Sequence, residues 1–266
     1  MTVRPTQAYL AVLQYDGAGF VGWQRQRAGA GRSVQGEVEA ALERIFGRRV
    51  PVTGAGRTDT GVHALGQAAS FALPASWKSG SDGLRRALNA LLPRDVWVER
   101  THAMCAGFHA RRDASARRYR YVIGTDEASY SPFRRAHEWP LARPLDLAAL
   151  SDAATAVLGE HDFSGLAAAG AATPHYRCRV AFAEWAPRMD GMGVTFTIEA
   201  DRFLHRMVRF LVGVMVDIGL HRRPLADLTR LLAASANKEA SPPAPPEGLY
   251  LVTVRYPPHL FAEPVT

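Results

Sequence analysis

The segment Gly54–His63, with the sequence GAGRTDTGVH, has the residue types and spacing that most strongly favour chemistry. Three glycines within eight residues permit tight turns and the close approach of a ligand to the backbone. Arg57 and Asp59 are two residues apart, so in an extended segment their side chains lie on one side. A carboxylate beside a cation keeps its ionised form, which suits a nucleophile or a base. The alternative is a structural turn in which Asp59 binds the backbone.

Three arginines with helical spacing form a second candidate group. Arg202, Arg206 and Arg209 are separated by four and three residues, so a helix would place them on one stripe. The segment Phe203–Gly219 is apolar on nearly all sides, which predicts one long buried helix. Since a buried guanidinium needs a charged partner, we expect these arginines to pair with carboxylates.

The partner of this stripe decides whether it is structural or functional. Asp201 and Asp217 are its neighbours in the sequence, and pairing with either would be a structural arrangement. Pairing with Asp59 would make the stripe part of a site. The residues alone leave these alternatives open.

Arginines interleaved with aromatic residues between Phe108 and Tyr121 form a third group. This mixture suits RNA, which is bound through its phosphates and through stacking of unpaired bases. In a strand, Tyr119 and Tyr121 share one face while Arg118 and Arg120 lie on the other. The alternative is a half-buried strand whose solvent face is covered with arginine.

The elements that must position these residues alternate between strands and helices. Residues 9–100 follow the order strand, helix, two strands, helix, strand, which is the split βαβ order of a ferredoxin-like unit. Short strands are expected at Val50–Thr53 and Gln67–Phe71. Ser33 is expected to cap the first helix, and Gly47 to end it.

The second part of the chain roughly repeats this order. The sequence therefore predicts an α+β fold of two ferredoxin-like halves with antiparallel sheets and a central cleft. The expected domains are 1–105, which carries the aspartate loop, and 106–266, which carries the tyrosine strand and the arginine helix.

Composition bounds the class of protein. The 266 residues are 47% hydrophobic and 21% charged, which excludes a disordered chain. The net charge of +7 favours a polyanionic partner. However, only two of the 32 basic residues are lysine, Lys78 and Lys238. Such a preference for arginine is also typical of a GC-rich genome. No signal peptide or membrane-spanning run is predicted, so we expect a soluble cytoplasmic protein.

Several reaction classes lack their sequence signatures. Cys105 and Cys178 form neither a disulfide framework nor a metal cluster. Zinc-hydrolase, zinc-deaminase and nucleophile-elbow motifs are missing from the sequence, as are the phosphate-binding and dinucleotide-binding glycine motifs. We therefore expect no metal site.

These segments together resemble one family, the tRNA pseudouridine synthases of the TruA type. The resemblance runs almost from end to end, and its motifs occur in the family's order. They are Gly22–Gln26, Ser33–Gln35, Ala55–His63, Phe108–Arg111 with Arg117–Tyr121, Gly159–Phe163, and Met207–Arg209 with Gly213, followed by Pro246–Leu251.

The resemblance implies isomerisation of uridine to pseudouridine at positions 38, 39 and 40 of the tRNA anticodon arm. It makes Asp59 the catalytic aspartate and gives Arg57 a part in displacing the target base from its stack. It implies that Tyr119 stacks on the uracil and that Arg209 pairs with the aspartate. The family acts as a homodimer without cofactor or metal. The arginines expected to bind the tRNA are Arg111, Arg117, Arg118, Arg120, Arg202 and Arg206.

Two departures and two rival functions accompany this resemblance. Thr60 stands where the family commonly has alanine, and the loop 167–174 carries less charge than an RNA-facing segment would. The main rival is a non-catalytic RNA-binding protein of two ferredoxin-like units, which would explain the arginines and Tyr119 but not the motif of Arg57 and Asp59 beside a buried Arg209. An RNA hydrolase would need a metal or a second acid–base group besides Asp59.

Overall fold

The computed structural model describes residues 6–27, 29–168, 175–234 and 236–262. These residues form ten strands and five α-helices. The strands are β1 (Thr6–Tyr15), β2 (Thr53–Gly54), β3 (His63–Pro74), β4 (Val96–Met104), β5 (Ala116–Gly124), β6 (Trp139–Pro140), β7 (Gly159–Asp162), β8 (Arg177–Pro187), β9 (Gly193–Ala200) and β10 (Leu249–Arg255). The helices are α1 (Val34–Phe46), α2 (Gly80–Asn89), α3 (Leu147–Ala156), α4 (Met207–Gly219) and α5 (Leu225–Leu232).

The chain divides into two compact units. The first contains the described residues up to Ser115 and those from Leu251 onward, and the second is Ala116–Tyr250. No helix in the described part of the chain is both long enough and apolar enough to cross a membrane.

The first unit is built on antiparallel strands in the order β4-β1-β3, with the short β2 also paired to β3. The part of β10 that belongs to this unit lies beside β3. Side chains from the strands and both helices form its core. The fully buried ones include Leu10, Leu13, Leu42, Leu73, Leu84 and Leu88.

Helix α1 has the ends that the sequence predicts. The Ser33 hydroxyl accepts a hydrogen bond from the Gly36 amide at 3.3 Å, which satisfies one of the free N–H groups of the first turn. Gly47 ends the helix in the left-handed conformation, with φ of 63°, and its amide donates to Glu43. The prediction of both caps is confirmed.

The strand predicted at Val50–Thr53 is wrong in its position. The structure has only Thr53–Gly54 as β2, paired with Ser70 and Ala69 of β3. Pro51 lacks the N–H that a ladder needs, so pairing begins after it.

The second unit contains antiparallel strands in the order β5-β9-β8-β7, with β6 parallel to the end of β5. Helix α3 contacts β8 and the helices α4 and α5. Eleven of the 13 residues of α4 are buried, which confirms a buried apolar helix.

The predicted start of that helix, at Phe203, is wrong. Helix α4 begins at Met207, and Arg206 before it has a left-handed backbone with φ of 60°. The stripe of Arg202, Arg206 and Arg209 is therefore wrong as well, because only Arg209 belongs to the helix. Because the helix is apolar on all sides, it has no polar face whose periodicity would show at which residue the helix begins.

Helices together with mostly antiparallel strands confirm the coarse prediction of an α+β fold. The finer description, with two ferredoxin-like halves around a central cleft and domains at 1–105 and 106–266, stays a prediction.

Candidate active site

The loop between β2 and β3, residues 55–62, carries Arg57 and Asp59. It begins with a hydrogen bond from the Ala55 amide to the Ala68 carbonyl at 2.7 Å. It ends in a turn in which the Val62 amide donates to the Asp59 carbonyl at 3.2 Å. Gly61 has φ of 79°, the left-handed value that the third position of such a turn requires.

The residue between the arginine and the aspartate fixes the loop from inside. Thr58 is buried, whereas Arg57 is exposed and Asp59 is half-buried. The Thr58 hydroxyl is hydrogen-bonded to the Tyr15 hydroxyl at 2.8 Å. Gln67 donates to the Gly56 carbonyl at 3.0 Å and to the Tyr15 hydroxyl at 3.4 Å. The two charged residues thus flank a side chain that is held in the core.

Burial raises the pKa of Tyr15 to about 12, although its hydrogen bonds to Thr58 and Gln67 oppose the shift. The phenol is therefore neutral at physiological pH. It can donate a hydrogen bond to Thr58 while accepting one from Gln67.

The segment after β1 packs against the outer side of the loop. The Trp23 amide donates to the Thr58 carbonyl at 3.1 Å, and the Thr60 hydroxyl donates to the Val21 carbonyl at 3.1 Å. A Cβ on Gly22 would come within 2.6 Å of the Thr58 carbonyl oxygen. Glycine is required at this position because the two backbones approach so closely. A Cβ on Gly54 would likewise meet the indole of Trp23.

His63 fixes the far end of the loop. Only 2% of its surface is exposed, and its Nδ1 accepts a hydrogen bond from the Gly17 amide at 3.0 Å. The same nitrogen lies 3.2 Å from an Asp16 carboxylate oxygen. The histidine of the motif therefore ties the loop to the turn that follows β1.

Tyr119 lies on β5 in the second unit. It is buried and packs edge-on against Phe203, with ring centroids 5.0 Å apart. Tyr121 is fully buried, and its hydroxyl donates to the Pro245 carbonyl at 2.6 Å. Arg118 and Arg120 are more exposed than either tyrosine, which confirms the predicted division of the strand into two faces.

Arg209 lies in the first turn of α4 and is half-buried. Its Nε donates to the Ala244 carbonyl at 2.7 Å, and the Ala244 amide donates to the Arg209 carbonyl at 2.9 Å. Asp217, one of its expected partners, instead accepts from the Ser241 hydroxyl at 2.7 Å and from Arg222 at 3.5 Å. Asp201 accepts from the Arg179 and Arg202 amides.

The predicted tRNA-binding arginines have different surroundings. Arg118 pairs with Glu199 at 2.8 Å, and an Arg117 nitrogen donates to the Asp201 carbonyl at 2.7 Å. Arg120 lies over the Tyr250 ring, and Arg202 contacts His175 at 3.2 Å. Arg206 is exposed, as is Arg111 in the first unit.

The structure places Arg57 and Asp59 together on one loop of the first unit, and Tyr119 and Arg209 in the second unit. The convergence of all four in one site stays a prediction. The residues 169–174 of the loop 167–174 lie outside the described residues.

Comparison with known proteins identifies the family. The family model described as tRNA pseudouridine synthase matches residues 11–111 and 153–257. The chain belongs to the tRNA pseudouridine synthase family. It is an isomerase that acts on uridine in tRNA.

Curated relatives of this synthase carry the name tRNA pseudouridine synthase A. The protein of Myxococcus xanthus is 40% identical over 244 residues, which cover 92% of this chain and 90% of the relative. That of Moorella thermoacetica is 39% identical over 92% of this chain and 97% of its own. That of Streptomyces griseus is 41% identical over 92% and 86%.

Sequence reasoning missed the residues that hold the loop of the synthase. Tyr15 is 43 positions from its hydrogen-bond partner Thr58, and Gln67 is 52 positions from Tyr15, to which it donates. No local motif links residues so far apart in the sequence. The available signal was the pairing of β1 with β3, which brings Tyr15 opposite Ala64 and Leu13 opposite Gln67. The side chain of Trp23 was visible in its motif but had no assigned role.

We expect Thr58→Val to loosen this loop. The substitution keeps the shape of the side chain but removes the hydroxyl that binds Tyr15 at 2.8 Å. The free energy of unfolding should fall by about 1–3 kcal/mol, because a buried hydroxyl loses its partner. The turnover rate should fall about tenfold or more, because Asp59 is less well positioned. Urea unfolding and steady-state kinetics on tRNA measure the two effects.

Thr60→Val is the matched control: it removes a hydroxyl of the same loop whose hydrogen bond to the Val21 carbonyl is exposed, so water can replace it. Its free energy of unfolding should change by no more than about 0.5 kcal/mol. Equal losses in the two variants would contradict the role assigned to the buried hydrogen bond.

Proposed function

We propose that this synthase converts uridines 38, 39 and 40 of the tRNA anticodon arm to pseudouridine, with Asp59 as the catalytic residue. The observation that carries the proposal is the fixed loop 55–62, in which the buried Thr58 holds Arg57 and Asp59 on either side of it. A rigid support of this kind is what a catalytic side chain needs, because misplacement by 1 Å can cost about a hundredfold in rate.

The reaction exchanges one bond to the sugar for another. The bond from N1 of uracil to C1′ breaks, the base rotates, and C5 bonds to C1′; C5 loses its proton and N1 gains one. Nothing is oxidised or hydrolysed, so the balance requires no co-reactant, metal or cofactor. An ionised carboxylate at Asp59 can attack the sugar, attack the ring or remove a proton from the sugar.

The other proposed catalytic residues assist this step. Arg57 is exposed, which suits a side chain that enters the stack and displaces the target base at a cost of a few kcal/mol. Tyr119 stacks on the extruded uracil and lies near the C5 proton. Arg209 pairs with Asp59, so that its guanidinium offsets the negative charge of the carboxylate.

The tRNA backbone is bound by arginines of both units, in our proposal. Phosphate contacts fix the orientation of the nucleic acid and supply most of the salt-dependent affinity. Arg118 pairs with the Glu199 carboxylate, so its contact to tRNA would replace that carboxylate with a phosphate. The set comprises Arg111, Arg117, Arg118, Arg120, Arg202 and Arg206.

The proposal extends to architecture and setting. We propose two ferredoxin-like halves. The antiparallel order β4-β1-β3 in the first unit, with β2 also paired to β3, supports the first of them. We propose that two copies of the chain form a homodimer that holds tRNA across both subunits, and that the enzyme works in the cytoplasm, where tRNA is modified.

The experiment that tests the target positions uses unmodified tRNA transcripts with uridine at 38, 39 or 40, alone or together. Pseudouridine is mapped by carbodiimide modification and primer extension. We expect modification at each of the three positions and at no uridine elsewhere in the transcript. Modification confined to another arm would overturn the assignment to the anticodon arm while leaving the reaction itself intact.

A further inference from the structure

Four basic side chains are exposed in the first unit where the end of α1 meets the start of α2. They are here called the basic patch and comprise Arg44, Arg48, Arg49 and Lys78. Among the residues that the structure describes, no carboxylate forms an ion pair with any of the four. Their positive charges are therefore not neutralised by local partners.

An aromatic pair joins the two helix ends and brings the basic patch together. Phe46, the last residue of α1, packs edge-on against Trp77, with ring centroids 5.4 Å apart. The Trp77 indole donates to the carbonyl of Gly80, the first residue of α2, at 3.0 Å. Each residue of the basic patch is within three positions of Phe46 or Trp77 in the sequence. Since consecutive Cα atoms are about 3.8 Å apart, each Cα of the patch lies within about 11 Å of that of Phe46 or Trp77.

The carboxylates around the basic patch do not balance its charge. Glu43 is exposed beside Arg44, and Asp82 in the first turn of α2 pairs with both Arg85 and Arg86. The other two carboxylates of α1 pair with arginines towards its first turn. The segments 43–49 and 77–86 contain six basic and two acidic side chains, which give a net charge of +4. More than half of the +7 of the whole chain is therefore concentrated where the two helices meet.

The fold itself does not account for this concentration of charge. The C-terminal end of α1 has a dipole equivalent to about half a negative charge, and the adjacent N-terminal end of α2 has about half a positive charge. These two partial charges largely cancel, so the helices supply no counter-charge. A GC-rich genome explains why most of the cations are arginine, but it does not explain why so few carboxylates accompany them. Clustered cations of this kind are typical of a surface that binds a polyanion.

The basic patch lies on the helix whose other end contacts the Asp59 loop. The Gln35 amide in the first turn of α1 donates to the Trp23 carbonyl at 3.0 Å, and the Trp23 amide donates to the Thr58 carbonyl at 3.1 Å. The 13 residues of α1 span about 20 Å, at about 1.5 Å per residue. The patch is therefore about 20 Å along α1 from the end beside the loop, too far to contact a uridine held at Asp59.

We infer that the basic patch binds phosphates of the tRNA backbone at a place separate from the reacting nucleotide. The substrate of the family is tRNA, a polyanion, and guanidinium groups bind phosphate through paired hydrogen bonds. This goes beyond the arginines proposed above, none of which lies on α1 or α2. It rests on the proposed function only in taking tRNA as the substrate, and it is independent of which uridines react. The patch contributes affinity and orientation, and it takes no part in the bond exchange.

The contact is tested with the triple variant Arg44→Gln, Arg48→Gln and Arg49→Gln on an unmodified tRNA transcript. The slope of log Kd against log salt concentration should become shallower by about 2–3, at about 0.9 for each phosphate contact to a duplex. At 0.15 M salt, Kd and KM should both rise about tenfold or more, while kcat stays unchanged. An unchanged slope would overturn the inference, and so would a loss confined to kcat.

A second triple variant, with lysine in place of glutamine at the same three positions, keeps the charge. Its salt slope should equal that of the unaltered enzyme, because the number of phosphate contacts is the same. If the lysine variant bound as weakly as the glutamine variant, the loss would not come from charge, and the inference would be wrong.

The matched control removes the same number of charges from exposed positions outside the patch, with Arg94→Gln, Arg143→Gln and Lys238→Gln. Its salt slope should stay close to that of the unaltered enzyme. Equal changes in the two glutamine variants would show that tRNA responds to net charge alone, which would contradict a contact at the patch. Because Kd is measured without turnover, failure of the proposed target positions or of Asp59 as catalyst leaves this test readable.

Discussion

Replacement of Asp59 by alanine should lower the rate of pseudouridine formation by at least about a thousandfold, as loss of an essential acid–base or nucleophilic group does. Affinity for tRNA should stay close to that of the unaltered enzyme, since the carboxylate repels phosphate and contributes no binding charge. Release of tritium from transcripts labelled at C5 of uridine measures the reaction directly, because C5 loses its hydrogen when it bonds to C1′.

Asp59→Asn decides between the two roles that the residue types allow. If Asp59 served the turn at Val62, the asparagine side chain would replace it, since Asn and Asp are both favoured in such turns. If the carboxylate reacts, Asp59→Asn should be as inactive as Asp59→Ala while unfolding at the same urea concentration as the unaltered protein. Activity retained in Asp59→Asn would refute the catalytic assignment, and retained activity in both variants would exclude any essential role.

The features of the fold that could be predicted are those with local causes. Ser33 and Gly47 bound α1 because one side chain and one left-handed backbone suffice to begin and end a helix. The two faces of β5 follow from the period of two along any strand. In both cases the sequence within a few residues contains the whole signal.

The features that could not be predicted depend on residues far apart in the sequence, or lie in a segment with no alternation of polar and apolar residues. Helix α4 is apolar on all sides, so its periodicity could not exclude the left-handed Arg206 that precedes it. The support of Asp59 depends on Tyr15 and Gln67, which reach Thr58 and Gly56 only through the register of β1 with β3. The motif around Asp59 therefore identified the loop, whereas the tertiary structure identifies what holds it.

Replacement of Tyr119 by phenylalanine should slow product formation by about a hundredfold or more, within the range for a lost proton-transfer group. The ring and its packing against Phe203 are kept, so affinity for tRNA should not change. If the hydroxyl assists removal of the C5 proton, that step becomes slower than the others in the variant. Deuterium at C5 of the target uridine should then slow Tyr119→Phe more than it slows the unaltered enzyme.

Tyr121→Phe is the control that separates chemistry from structure, because the two tyrosines share one face of the same strand. The Tyr121 hydroxyl donates to the Pro245 carbonyl at 2.6 Å in a buried setting. Its loss should lower the free energy of unfolding by about 1–3 kcal/mol with little effect on the rate. Tyr119→Phe should show a different pattern, a loss of rate far larger than any loss of stability would account for. If both variants lost stability and rate in proportion, Tyr119 would be a core residue, and the proposed stacking and proton transfer would have to be assigned elsewhere.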